Sequence, residues 1–314
     1  MSAISELSTI SRRKGRMTAE EKKANGRDNK AAYIFLLPWL VGLVAITIGP
    51  MLMSLYLSFT DYNLLQPPQW TGLENYTRLF EDPRLLNSLR VTFTYVFTAV
   101  PLQLLAALAL ALILDRGLKG LPFYRSVLYL PSLLGGSVAV AILWRQVFGI
   151  DGLVNQFLAL FGIQGKGWVS DPETALWTLV LLHIWTFGAP MIIFLAGLRQ
   201  IPEMYYEAAA IDGAGVVRKF RSITLPLLTP IIFFNLVLQV IGAFQSFTQA
   251  FVVSGGTGGP ADSTMFYTLY LYQKGFTAFD MGYASAMAWL LVLIVAVMTL
   301  INFFASKFWV FYDD

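Results

Sequence analysis

This chain of 314 residues reads as an all-α, polytopic membrane protein with six transmembrane helices and both termini cytoplasmic, and three observations predict that class. The composition is 56% hydrophobic and 13% charged, with a mean hydropathy of +0.62, which is too apolar for a water-soluble globule. Charged residues are absent from the runs between Lys30 and Asp61, Arg90 and Asp115, Arg125 and Arg145, Glu173 and Arg199, Arg221 and Asp262, and Asp280 and Lys307. Each run can hold the roughly 20 apolar residues that cross a hydrocarbon core. Lysine and arginine, finally, favour one set of alternate connections over the other, and that bias sets orientation in a bilayer.

Residues 1–30 are expected to form a basic cytoplasmic tail, in which Arg12, Arg13, Lys14, Arg16, Lys22, Lys23, Arg27 and Lys30 are mixed with Glu6, Glu20, Glu21 and Asp28. Beside a membrane span this run is a topology signal rather than a nucleic-acid arm, so no nucleic-acid partner is expected. Residues 31–314 then make the six-helix transmembrane domain. Its first span is too long, and too far from the N-terminus, for a cleaved signal peptide. Pro38, Pro50, Pro101 and Pro190 fall within spans and should kink them, while Gly135 and Gly136 permit close helix packing. The fifth charge-free run exceeds one span, and the cluster from Gly255 to Pro260 marks where its helix has ended. Arg116, Lys119, Arg125, Arg199, Arg218, Lys219, Arg221 and Lys307 join the tail on one side; Arg78, Arg84, Arg90, Arg145, Lys166 and Lys274 fall on the other.

Residues 201–224 form a soluble-looking connection on the cytoplasmic side. Pro202 to Ile211 reads as a short helix, since proline suits a first turn and Ala208, Ala209 and Ala210 are strong helix formers. Asp212 and Gly213 interrupt it, and a second amphipathic helix is expected from Ala214 to Ile223 with Asp212 available as its N-cap. Glu207, Ala208, Ala209, Asp212, Gly213, Ala214, Phe220 and Pro226 together resemble the EAA loop of membrane permease subunits of binding-protein-dependent ABC importers. The stretch from Phe35 to Asn63, ending in SFTDYN, and the stretch from Ser254 to Thr264 resemble the sugar-permease subtype of that family, of maltose or glycerol-3-phosphate type. The short connection from Asp61 to Arg90 lacks the large outer domain of the maltose-specific member.

The resemblance implies that residues 201–224 couple to an ATPase through Glu207, Ala208, Ala209, Asp212, Gly213, Ala214 and Phe220. It implies a multi-pass protein of the bacterial cytoplasmic (inner) membrane that forms half of a pathway for a sugar or oligosaccharide. The partners so implied are a second permease subunit, two ATP-binding ABC subunits and an extracytoplasmic solute-binding protein. ATP and Mg would be bound by the ATPase, and no cofactor by this chain.

The residues themselves narrow the chemistry. Cysteine is absent and His183 is the only histidine, so neither a metal cluster nor a nucleophilic triad is expected, and the chain is read as not an enzyme. The sequence Gly165-Lys166-Gly167 fails the phosphate-binding loop pattern, because Leu160 stands where the first glycine belongs and no hydroxyl follows the lysine. Acidic residues lie only at span ends or in connections, which points to an external motor rather than an intramembrane proton path. The alternative is a passive channel or secondary solute carrier regulated by the helical connection. In the fifth span Asn235, Gln239, Gly242, Ser246 and Gln249 recur at spacings of four and three, on one helical face. They suit a path for sugar hydroxyls, or equally hydrogen bonds between packed spans. Gln103 and Trp289 are further candidates for the path, and His183 reads as a satisfied or path-lining group rather than a proton shuttle.

Overall fold

The computed structural model describes residues 35–117 and 120–311, so the tail expected over residues 1–30 lies outside the described residues. The chain divides into two units, Met1–Tyr56 and Leu57–Asp314. In the first, helix α1 (Phe35–Leu57) is apolar all round, with Trp39 and Ile46 exposed, as suits a helix bathed in lipid. Its residues Leu43–Ile48 form a π segment, which closes with the Gly49 N–H donating to the Val44 carbonyl. Pro50 comes next and has no N–H to give, so the wider turn absorbs the missing donor just before the proline.

The second unit opens on a small ribbon, β1 (Thr60–Asp61) antiparallel to β2 (Gln69–Trp70), a minor departure from the all-helical expectation. The Asn75 side chain on α2 (Glu74–Glu81) donates to the carbonyls of Ser58 and Thr60 and ties this ribbon down. Helix α3 (Pro83–Asp115) begins with Asp82 accepting from the N–H groups of Arg84 and Leu85, and with Pro83 where a helix needs no N–H. Its 33 residues reach roughly 50 Å at 1.5 Å per residue, more than a bilayer core requires. Pro101 sits inside α3 without breaking it.

Two pairs of helices follow, each bent at a short break. Helices α4 (Leu121–Leu134) and α5 (Val138–Val147) meet at 94°, with Gly135 and Gly136 at the corner and the Ser137 hydroxyl capping α5. After α6 (Leu153–Ala159), helices α7 (Ala175–Trp185) and α8 (Gly188–Leu198) meet at 41°. The second bend follows from Pro190, which has no N–H for the Thr186 carbonyl four residues back. That oxygen accepts instead from Gln103 Nε2 at 3.0 Å and Ser132 Oγ at 2.8 Å, so side chains of α3 and α4 satisfy a backbone group that lipid could not.

Beyond α9 (Glu203–Ile211), helix α10 (Val216–Phe244) is a single element of 29 residues. The expected separate helix from Ala214 to Ile223 is therefore corrected: its residues from Val216 onward are the first turns of the next long helix. A π segment at Phe220–Thr224, closed by the Leu225 N–H on the Phe220 carbonyl, again stands just ahead of a proline, Pro226. The fifth span also ends earlier than the glycine cluster suggested, at Gln245, and a short α11 (Thr248–Val253) intervenes. The glycines Gly255, Gly256, Gly258 and Gly259, all at positive φ, terminate α11. Helix α12 (Tyr267–Tyr272) then packs inward, with Tyr267 fully buried and bonded through its N–H to Thr92 Oγ1 and through its hydroxyl to the Met287 carbonyl. Helix α13 (Met281–Trp309) closes the unit.

Four helices, α1, α3, α10 and α13, are long and apolar enough to cross a membrane, and six spans result if each bent pair counts as one. Helix α3 is the centre of the second unit and packs against α7, α8 and α10. Ala99, Ala107 and Ala111 are fully buried along it, small side chains that let neighbouring backbones approach.

Candidate functional site

Three groups of residues stand out: the connection from α8 to α10, a cavity inside the helices, and a charged cluster where α3 begins. In the connection, α9 ends in a Schellman motif. The Gly213 N–H donates to the Ala210 carbonyl and the Ala214 N–H to the Ala209 carbonyl, with Gly213 in the left-handed region at φ 73°. Asp212 is thus the C-cap of α9, not the N-cap of the following helix; Gly215 holds that place. The Tyr206 hydroxyl lies 2.8 Å from Thr224 Oγ1 and pins α9 to α10. Met204, Ile211, Val216 and Val217 are exposed, and so are Glu207, Ala208, Asp212 and Gly213, whereas Ala209, Ala214 and Phe220 are half-buried. Glu207 makes no ion pair or side-chain hydrogen bond among the described residues. Apolar side chains clustered on a polar connection, around an unengaged carboxylate, have the makeup of a protein-docking face.

The cavity holds about 260 Å³ and is walled by α3, α4, α7, α10 and α11. Gln239, Gly242, Ser246 and Gln249 line it, and Asn235 does not. Asn235 is buried against its own helix, with its amide on the Ile231 carbonyl. Ser246 and Gln249 lie beyond the end of α10, so the shared helical face inferred from spacing is replaced by a shared cavity. Gln249 Nε2 reaches the freed Gly135 carbonyl at the α4–α5 corner, 3.1 Å away.

His183 also lines the cavity; its Nδ1 is 3.0 Å from the Tyr95 hydroxyl, and its Nε2 is buried without a partner. Tyr95, Ser132 and Thr186 are lining residues that the sequence reading missed. Each is a neutral polar group within a charge-free run, but several such groups stand in the same runs, and only the fold brings three helices together around these. Gln103 stands behind the wall, holding Thr186, and Trp289 is not part of the lining. Neutral donors and acceptors over small residues can exchange hydrogen bonds with hydroxyl groups, and no fixed charge faces the space.

At the start of α3, Asp82 accepts from the hydroxyls of Tyr270 and Tyr283 at 2.7 and 2.9 Å, with Lys274 Nζ at 4.0 Å. Burial opposes its charge, but those two hydrogen bonds, the Leu85 N–H and Lys274 outweigh it and hold the carboxyl below its ordinary pKa. Arg84 pairs with Asp262 through two contacts of 2.8 and 2.9 Å, and Arg78 with Asp280 at 2.7 Å. Burial works against the Arg78 charge, yet the hydrogen bond and charge of Asp280 raise its pKa above the ordinary value. The first pair lashes the connection between α11 and α13 to the beginning of α3, and the second ties the start of α13 to α2. Among the described residues no group of three or more His, Cys, Asp or Glu side chains could hold a metal ion.

Long apolar helices with broken, internally satisfied spans, a polar cavity and an exposed helical connection define a multi-pass membrane transport component. Residues 81–308 match the family of binding-protein-dependent transport system inner membrane components. The chain belongs to that family, and it is a permease subunit of an ABC importer. It is 53% identical over 290 residues to a probable ABC transporter permease protein, YesP, of Bacillus subtilis (strain 168), covering 92% of this chain and 94% of that one. It is 34% identical to the lactose transport system permease protein LacF of Rhizobium radiobacter, covering 88% and 93%. A bacterial alginate ABC transporter, solved in complex with an alginate pentasaccharide-bound periplasmic protein, has the same fold in one chain, with a TM-score of 0.77 at 20% identity over 90% of this chain and 96% of that one.

Proposed function

We propose that this permease carries a sugar or oligosaccharide through half of a pathway it shares with a second, distinct permease chain. Six spans, with α4–α5 and α7–α8 each counted once, put both termini and residues 201–224 on the cytoplasmic side of a bacterial inner membrane. Two ATP-binding subunits, holding ATP and Mg, seat on the connection through Glu207, Ala208, Ala209, Asp212, Gly213, Ala214 and Phe220. An extracytoplasmic binding protein delivers the solute. The observation that carries the reading is the exposed surface of Met204 and Ile211 around Glu207, on a connection braced by the Schellman turn and the Tyr206–Thr224 contact.

In this scheme the cavity bounded by Gln239, Gly242, Ser246 and Gln249 receives sugar hydroxyls. Asn235 belongs with them by spacing but, from its place behind the wall, would serve α10 rather than solute. The names of LacF and of the alginate transporter support a saccharide as the cargo. The test is ATP hydrolysis and uptake in vesicles, using material purified through a tag on this chain with its neighbouring gene products. Both activities should co-purify, and Glu207→Ala should depress uptake by roughly tenfold or more, the effect of losing one charged docking contact. Solute movement that persists without ATP or any ATPase would instead establish the passive-carrier alternative.

A further inference from the structure

We propose that a groove at the foot of the connection, between the end of α3 and the start of α10, binds the head group of an anionic phospholipid. The inference rests on the membrane-spanning reading of those two helices. The groove has a volume of about 410 Å³, and its lining combines apolar side chains, two cations and the hydroxyl residues Tyr206 and Thr224. Leu112, Val216, Val217 and Phe220 supply an apolar wall, while Arg116 and Lys219 supply two cations. Neither cation forms an ion pair among the described residues, whereas the neighbouring Asp115 is already engaged by Arg199 at 3.6 Å.

A soluble anion would use the cations and leave the apolar wall wet. A purely apolar partner would bury Arg116 and Lys219 without a counter-charge, which is costly. A phospholipid satisfies both, with its phosphodiester on the guanidinium and ammonium groups and the start of its acyl chains on Leu112, Val216 and Val217. Position supports the same occupant. Helix α3 ends at Asp115 and α10 begins at Val216, so the groove lies where two spanning helices leave the hydrocarbon and head groups begin. No side chain caps α10, and its first N–H groups add a favourable dipole for a phosphate.

The full chain, purified with its partners in mild detergent, is offered palmitoyl-oleoyl phosphatidylglycerol or the phosphatidylcholine of the same chains, and retained lipid is counted by native mass spectrometry. The wild type should prefer phosphatidylglycerol by about fivefold or more per engaged cation. The pair Arg116→Gln/Lys219→Gln should lose that preference, and so should Val217→Trp, which fills the groove while leaving both cations. The pair Arg218→Gln/Arg221→Gln removes equal charge from outside the groove and should keep it. An unchanged preference in the first pair, or an equal loss in both pairs, overturns the proposal. So does a preference that appears only after the ATPase subunit has been stripped away, which would make the groove a protein interface. Uptake and ATP hydrolysis are measured on the same preparations, so a failed lipid site is told apart from a failed transport reading.

Discussion

At Gly188 helix α8 meets α4 backbone to backbone. A Cβ built there would stand 2.7 Å from the Leu128 carbonyl oxygen and 2.8 Å from the Tyr129 Cα, with Ser132 Oγ at 2.9 Å. The first two are main-chain atoms, so no rotamer change relieves them. Carbon atoms prefer roughly 3.5–4.0 Å, and the two helices would have to part by about 0.7–1 Å. Overpacking of this kind costs about 1–3 kcal/mol. Parting also stretches Ser132 Oγ from the Thr186 carbonyl and from the Ala189 N–H, at 2.8 and 2.9 Å, bonds worth about 1 kcal/mol each. Gly188→Ala is therefore expected to destabilise the protein by roughly 2–4 kcal/mol, a fall of roughly 5–15 °C in Tm for a unit of this size. Gly136, on the cavity wall, has nothing within 4 Å of the position its added methyl would take, and Gly136→Ala should shift stability by less than about 0.5 kcal/mol. Thermal unfolding of the two variants in one detergent decides the matter. Equal shifts, or a Gly188→Ala protein as stable as wild type, would refute the reasoning that a backbone crossing sets this wall.

The remaining predictions concern the other elements of the site. Gly213 has a left-handed φ but open space around it, so Gly213→Val should weaken the turn by about 1–2 kcal/mol and uncouple ATP hydrolysis from uptake, whereas Gly213→Asn should retain coupling; equal losses in both would show that space, not conformation, matters. Gln239→Leu, on the cavity, should lower uptake at limiting solute by roughly five- to tenfold, the equivalent of one hydrogen bond, while Asn235→Leu, behind the wall, should leave solute affinity unchanged in the same vesicle assay. Asp82→Asn should cost about 1–2 kcal/mol at neutral pH, the low end for a charged acceptor because the carboxylate keeps solvent contact. Since the folded pKa is depressed, this contribution is complete above roughly pH 5 and disappears as pH falls through the folded value; the gap in stability between wild type and variant should therefore close in acid, and a gap that widened there would contradict the assignment.

Much of the architecture was readable because charge is expensive in lipid: the six charge-free runs coincide with four long helices and two bent pairs. The bend at Thr186 was readable too, since Pro190 cannot donate. The 94° corner at Gly135 and Gly136 was not, because two glycines permit an angle without choosing one; contacts such as Gln249 to the Gly135 carbonyl depend on residues more than a hundred positions away. The connection's turn was visible in Asp212 and Gly213, but its second helix was misjudged, as nothing in the residues after Ile223 stops a helix that a π turn carries past Pro226. Spacing grouped Asn235 with Gln239 and Gly242, and the fold sets only the latter two on the cavity, because a helical face says where side chains line up and not which neighbour opens a space beside them. The pairs Arg84–Asp262 and Arg78–Asp280 join residues 178 and 202 positions apart and left no local trace.

The Thr186 carbonyl has a mechanical consequence. Its two donors, Gln103 and Ser132, come from different helices, and Pro190 guarantees that straightening α7–α8 would return no backbone bond in exchange. Any motion that opened this corner would part the carbonyl from both donors with no backbone N–H to replace them. Helices α3, α4, α7 and α8 should accordingly turn as one block during a transport cycle, with the hinges lying at its edges rather than at the break between α7 and α8.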